Sequence, residues 1–305
     1  MKNILFWLVK LTVSIGLMVL LVYRVDITDI INRVRNIMTS MLILSSGLVI
    51  LQIVISSERW RQVMISIGVS LPLNWLIRVH WVGAFINLIV PGAVGCDAYR
   101  VWQVHKRGVM LFTAVNGVML ERIVTLLSLL IMVSTLLPLF IPNIPGQLGF
   151  RLLAVAGIGG IGCLMMLDRV PTAFFRWRFV SGCSTLAKDT RRLFLSPSRL
   201  LLPMVWSFIG NANLAMSVCT IVYGLGEHLS IINALILIPP VMLVTSLPIS
   251  VSGWGTRELA MVTALSFVGI PTDIALTTSI LFGLIILLTS LTGGIFMMQR
   301  YSYTR

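Results

Sequence analysis

Acidic and basic residues stand together at four places in an otherwise apolar sequence. Glu58-Arg59 lies in SSERWRQV, and Asp97 and Arg100 lie in NLIVPGAVGCDAYR. Glu121-Arg122 lies in VMLERIVTLLSLL, and Arg257-Glu258 in LPISVSGWGTRELA. A guanidinium is a planar fork that grips a phosphate or a carboxylate through two N–H groups at once. A carboxylate close by neutralises that fork, or binds a cation or a proton. Ionisable groups inside an apolar helix cost about 2.5–3.5 kcal/mol each on insertion scales, which makes each a functional candidate by default. The plainer alternative is an ion pair that fixes helix packing. For Glu58-Arg59, at the end of its apolar run, an interfacial role stands beside both.

Two of these places are also breaks in the backbone. Pro91 precedes Arg100 by nine residues, and Pro248 precedes Arg257 by nine. Glycines lie between in both, Gly92 and Gly95 in the first, Gly253 and Gly255 in the second. A helix broken by Pro and Gly exposes N–H groups at the start of the half-helix that follows. Those groups and the helix dipole attract an anion. Trp254, inside the second break, is read as part of a cavity wall. Most other aromatic residues near span ends fit an interfacial belt.

The elements that position these residues are long apolar runs. The 305-residue chain is 57% hydrophobic and only 11% charged, against about 25% charged in soluble domains. Runs of about 20 apolar residues read as spanning helices. They are Ile4–Tyr23, Ile37–Ser57, Ala114–Phe140, Leu152–Leu167, Leu200–Tyr223 and Ile274–Gln299. The runs are continuous rather than alternating, which excludes a membrane β-barrel. Val79–Gly95 and Ile232–Gly253 are Pro-containing stretches, each followed by a short second helix.

The charge between runs sets the expected topology. Asp168 to Arg199 carries seven basic residues against two acidic ones and reads as cytoplasmic, as do both termini. Pro138–Gly149 is uncharged, and it reads as external together with Gly224–Ile231. The first break is then flanked by basic residues and returns to the cytoplasm, while the second returns to the outside. The expectation is an all-α polytopic membrane protein with about six spanning helices. Two oppositely oriented re-entrant hairpins form an inverted repeat, the pattern of many secondary transporters. Residues 1–305 make one membrane domain with repeat halves 37–140 and 200–299. The first helix is 4–23 and the basic loop is 168–199.

The net charge of +13 resides in short segments between spans, which speaks against nucleic acid as a partner. The four cysteines and three histidines show no metal or redox spacing, so no metal or cofactor is expected.

In order and spacing, the four quoted stretches resemble the lysylphosphatidylglycerol synthase transmembrane region, a flippase-like family also called UPF0104. The resemblance runs from about Ile4 to Arg300. Its most specific pieces are Pro91 to Arg100, Leu120-Glu121-Arg122, and Pro248 to Glu258. The family often has Gly-Gly-Asp where this chain has Gly95-Cys96-Asp97, a departure that bears on the turn. The resemblance implies translocation of a lipid without aminoacyl transfer, since the sequence given ends at Arg305.

The expected function is a non-enzymatic flippase-like transporter of the inner membrane. It moves an anionic-headgroup phospholipid, a glycolipid or a polyprenyl-phosphate-linked intermediate, by rocking of the two repeats. The expected substrate-binding residues are Glu58, Arg59, Pro91, Asp97, Arg100, Glu121, Arg122, Pro248, Gly253, Trp254, Gly255, Arg257 and Glu258. A second copy of the chain is a further expected partner. The alternatives are a lipid-carrier transferase in the membrane, or a non-catalytic partner of an envelope-lipid synthase. Only ten acidic residues, with no Asp-x-Asp cluster, weigh against the transferase.

Overall fold

A computed structural model describes residues 33–35, 37–89, 94–140, 159, 177–246 and 254–302. Nine helices of ten or more residues are formed among them: α1 (Thr39–Ser66), α2 (Leu73–Ile89), α3 (Val94–Lys106), α4 (Leu111–Phe140), α5 (Trp177–Phe194), α6 (Pro197–Gly224), α7 (Ile231–Ser246), α8 (Thr256–Ser266) and α9 (Thr272–Ser302). The regular structure among the described residues is all helical. Lipid offers the backbone no partners, so each segment must close its own hydrogen bonds.

Among the described residues, four helices are long and apolar enough to cross a bilayer: α1, Leu111–Leu136 of α4, α6, and Thr272–Met297 of α9. These are four of the six expected runs. At 28 residues, α1 extends roughly 42 Å, beyond the ~30 Å hydrocarbon core. The expected span Ile4–Tyr23 lies outside the described residues, as do Pro91, Pro248, Gly253 and, apart from residue 159, the expected span Leu152–Leu167. On either side of each break a helix is formed, α2 then α3 and α7 then α8. Pro239 and Pro240 lie within α7 and Pro203 within α6 without ending either helix.

The described residues cluster into two compact units that interleave along the chain. One gathers described residues up to Gln52, from Ala84 to Gly95, and from Asn211 onward. In it α8 packs on both α7 and α9. The first half of α1 is tied to the second half of α6 by polar bonds. Ser45 and Ser217 share a hydroxyl bond of 2.8 Å, and the Asn213 amide donates to the Leu48 carbonyl at 2.8 Å and to Gln52 at 2.9 Å. Apolar side chains gain little by leaving lipid for one another, so such contacts specify helix pairing.

The other unit holds Ile53–Gly83 and the described residues of Cys96–Gly210. Its core is Trp60, Val63, Met64, Leu76, Val104, Leu120, Val124 and Leu193, with α5 packed on α4. A side chain on Gly117 would collide with Met64, so the missing Cβ lets α4 approach α1 closely.

Candidate functional site

The second unit assembles a buried charge cluster from three helices. Arg59 projects from α1, Arg100 and Asp97 from α3, and Glu121 and Arg122 from α4. The Arg59 Nε donates to Glu121 Oε1 at 2.7 Å, and its Nη2 lies 2.6 Å from the same oxygen. The Arg100 Nη1 donates to Glu121 Oε2 at 3.2 Å and stands 3.5 Å from Asp97 Oδ1. The Arg122 Nε donates to Asp97 Oδ2 at 2.5 Å. Glu121 therefore binds one arginine on each oxygen.

Helix geometry explains the splitting of the sequence neighbours. Adjacent residues point about 100° apart, so Glu121 and Arg122 face different surroundings. Glu121 is 3% exposed, whereas the Arg122 side chain is 49% exposed. Glu58 and Arg59 separate in the same way. Glu58 accepts from Arg61 at 3.0 Å and from the Gln62 amide, both within a turn of its own helix. Across the helices, Arg122 pairs with Asp97 and Glu121 with Arg100. Arg59 joins Glu121 from α1.

Arg100 is the least conventional member. It is 3% exposed, and its guanidinium stacks on the Trp60 ring at 4.1 Å from the centroid. Its Nε and Nη2 are buried and find no acceptor among the described residues. A buried donor without a partner costs about 1–3 kcal/mol, and more for a charged group. Among the described residues, three arginines and two carboxylates give the cluster a formal charge of +1.

The other unit holds the second candidate. Gly255 precedes α8 with φ +87°, a left-handed conformation that glycine adopts without strain. This turns the chain so that the carboxylate of Glu258, third residue of α8, accepts from the Gly255 N–H at 2.6 Å. Glu258 thus occupies the N–H that the sequence had offered to an anion. Arg257 donates to Glu258 Oε1 through Nη2 at 2.7 Å and Nε at 3.1 Å, and to Ser279 on α9 at 3.3 Å. Half-buried Trp254 covers it, 4.8 Å from the guanidinium carbon to the ring centroid. A side chain on Gly283 of α9 would fall on the guanidinium, so that glycine makes its seat.

The equal proline spacings thus lead to unequal positions. Arg257 is the second residue of α8, and Arg100 is the seventh of α3. The first curls back within its own turn, and the second reaches across to α4. Trp60, Ser279 and Gly283 escaped the sequence reading. Trp60 follows Glu58-Arg59 directly, and a lone Gly283 in ILFGLIILL was the available signal for a close approach.

The family model for the lysylphosphatidylglycerol synthase TM region matches residues 7–294. The chain belongs to that family. Membership accounts for the resemblance carried by the four charged stretches, and the apolar helices agree with a protein of the membrane. The family description connects the chain with membrane lipid. Among curated proteins, nothing matches the chain.

Proposed function

We propose that this family member is a flippase-like transporter. It moves an anionic-headgroup lipid, or a lipid-linked intermediate, across the inner membrane while the tails stay in the bilayer. The observation that carries the reading is Arg100, buried on α3 with two N–H groups unmatched. A phosphate oxygen supplies the acceptor those groups lack and balances the cluster's surplus charge. Glu121, itself fixed by Arg59, holds Arg100 in place, and half-exposed Arg122 with Asp97 serves as the outer contact. Within its own unit, Arg257 is a separate candidate anion contact, freed when an anion displaces Glu258 from it. The termini are cytoplasmic in this proposal, as the loop charges indicate.

The proposed role is not enzymatic. Glu58, Asp97, Glu121 and Glu258 each accept from an arginine, an arrangement suited to holding charge rather than to shuttling protons. The test uses the full chain in liposomes with fluorescent lipids of anionic or zwitterionic headgroup. The expected result is faster crossing of the anionic lipid and a loss of about tenfold or more in Arg100→Ala, the size of one or two charged hydrogen bonds. Arg100→Lys recovers only part of the rate, since a point charge does not reproduce the fork. Equal crossing of both lipids, or full activity of a well-folded Arg100→Ala protein, refutes the reading.

A further inference from the structure

Apart from the charge cluster, the second unit contains an open cavity of about 460 Å³. Gln62, Ile65, Ser66 and Gly68 from the end of α1 line it, together with Arg192 from α5 and Ser198, Arg199 and Leu202 from α6. Its walls are joined by specific bonds. The Ser66 hydroxyl donates to the Arg199 carbonyl at 3.1 Å, and Arg192 Nη1 donates to the Ile67 carbonyl at 3.4 Å. Gly68, with φ +96°, ends α1 and turns the chain beside the Arg192 guanidinium. The cavity is therefore built by the fold rather than left by a loose loop.

Its chemistry has three features. Arg192 and Arg199 line it, and among the described residues no acidic one does. Glu58, one turn away on α1, is engaged by Arg61 and Gln62. Second, the polar lining continues into apolar side chains that remain uncovered, Ile65 at 41% and Leu202 at 49% exposure. Third, the cavity lies where two spanning helices end, since Ser66 is the last residue of α1 and Pro197 the first of α6. Ends of spans lie at the depth of lipid headgroups. Basic pockets between helices at that depth suit phosphate-bearing headgroups.

We infer that this cavity binds a phosphate group at the membrane surface, with Arg192 and Arg199 as its donors and Ile65 and Leu202 against the adjoining apolar part. Ser198 and Gln62 supply neutral hydrogen bonds. This site is separate from the Arg100 cluster and does not rest on the transport reading. The same phosphate chemistry is offered by a membrane lipid and by a free phosphate ion.

The experiment measures binding to the full chain in phosphatidylcholine nanodiscs. One arm adds phosphatidylglycerol, and the other adds inorganic phosphate. Arg199→Gln and Ser198→Asp are the variants, because both side chains are exposed and neither change disturbs the core. A lipid ligand shows phosphatidylglycerol binding that weakens by about tenfold or more in each variant, as expected for loss of a charged bond or gain of a repelling charge. A free phosphate ligand shows the same loss in the inorganic phosphate arm. The site is refuted if both variants bind both probes as the parent does.

Discussion

Arg100 and Arg257 each follow a proline by nine residues, yet their surroundings give them different chemistry. Arg257 spends its donors on Glu258 and Ser279, while Arg100 keeps two donors unmatched. The difference arises from their position in the half-helix and from what faces it. Gly283 shows how far the seat of Arg257 depends on a residue 26 positions away. Gly283→Ala places a methyl group on the guanidinium and should lower stability by about 1–3 kcal/mol, the usual cost of overpacking. In the Gly283→Ala, Arg257→Ala double variant that collision disappears, so its loss should be smaller than the sum of the single losses. Thermal unfolding of the purified protein in detergent measures the cycle. Strict additivity would show that Gly283 does not hold Arg257. The charged residues themselves were legible because they interrupt apolar runs. Their partners were not, because nothing local orders Arg59 toward Glu121, 62 residues away.

Among the elements, α5 carries a polar lock that the sequence left unremarked. Its Asp189 is buried and accepts from the Asn116 amide of α4 at 2.9 Å. Burial pushes the Asp189 carboxyl above the ordinary aspartate range, against the opposing effects of Asn116 and Arg192. The folded state then binds this proton more tightly than the unfolded chain does. Its contribution to stability is therefore greatest below the ordinary aspartate pKa and is lost as pH rises through the raised value. Asp189→Asn keeps an acceptor for Asn116 and removes the charge. The variant should match the parent near pH 4 and be at least as stable at pH 7, by thermal unfolding at the two pH values. A variant clearly less stable only at pH 7 would mean that the Arg192 and Asn116 interactions outweigh burial. The helices were largely readable because length and apolar content are local properties. The basic run 168–199 was read as a loop, yet from Trp177 to Phe194 it forms a helix. Its charges sit among apolar residues at helical spacing, and packing on α4 secures one face.

For the whole molecule, the open question is the face each break reaches. The loop charges predict opposite faces for the two. Single cysteines at Ala93 and Ser252, in a chain lacking its four native cysteines, test this with impermeant thiol reagents. Ala93Cys should label from the cytoplasmic side and Ser252Cys from outside. Labelling of both from one side would overturn the inverted topology. By itself the sequence determined a helical membrane protein of the lysylphosphatidylglycerol synthase TM region family, with charged residues at its breaks. Transfer of an apolar run into lipid is roughly additive along the run, so it can be read from composition. Tertiary structure alone decided which charges meet. It set two arginines on Glu121, seated Arg257 against Gly283, and left Arg100 with donors to spare. Those outcomes depend on how close and at what angle helices approach, and no local stretch of sequence contains that information.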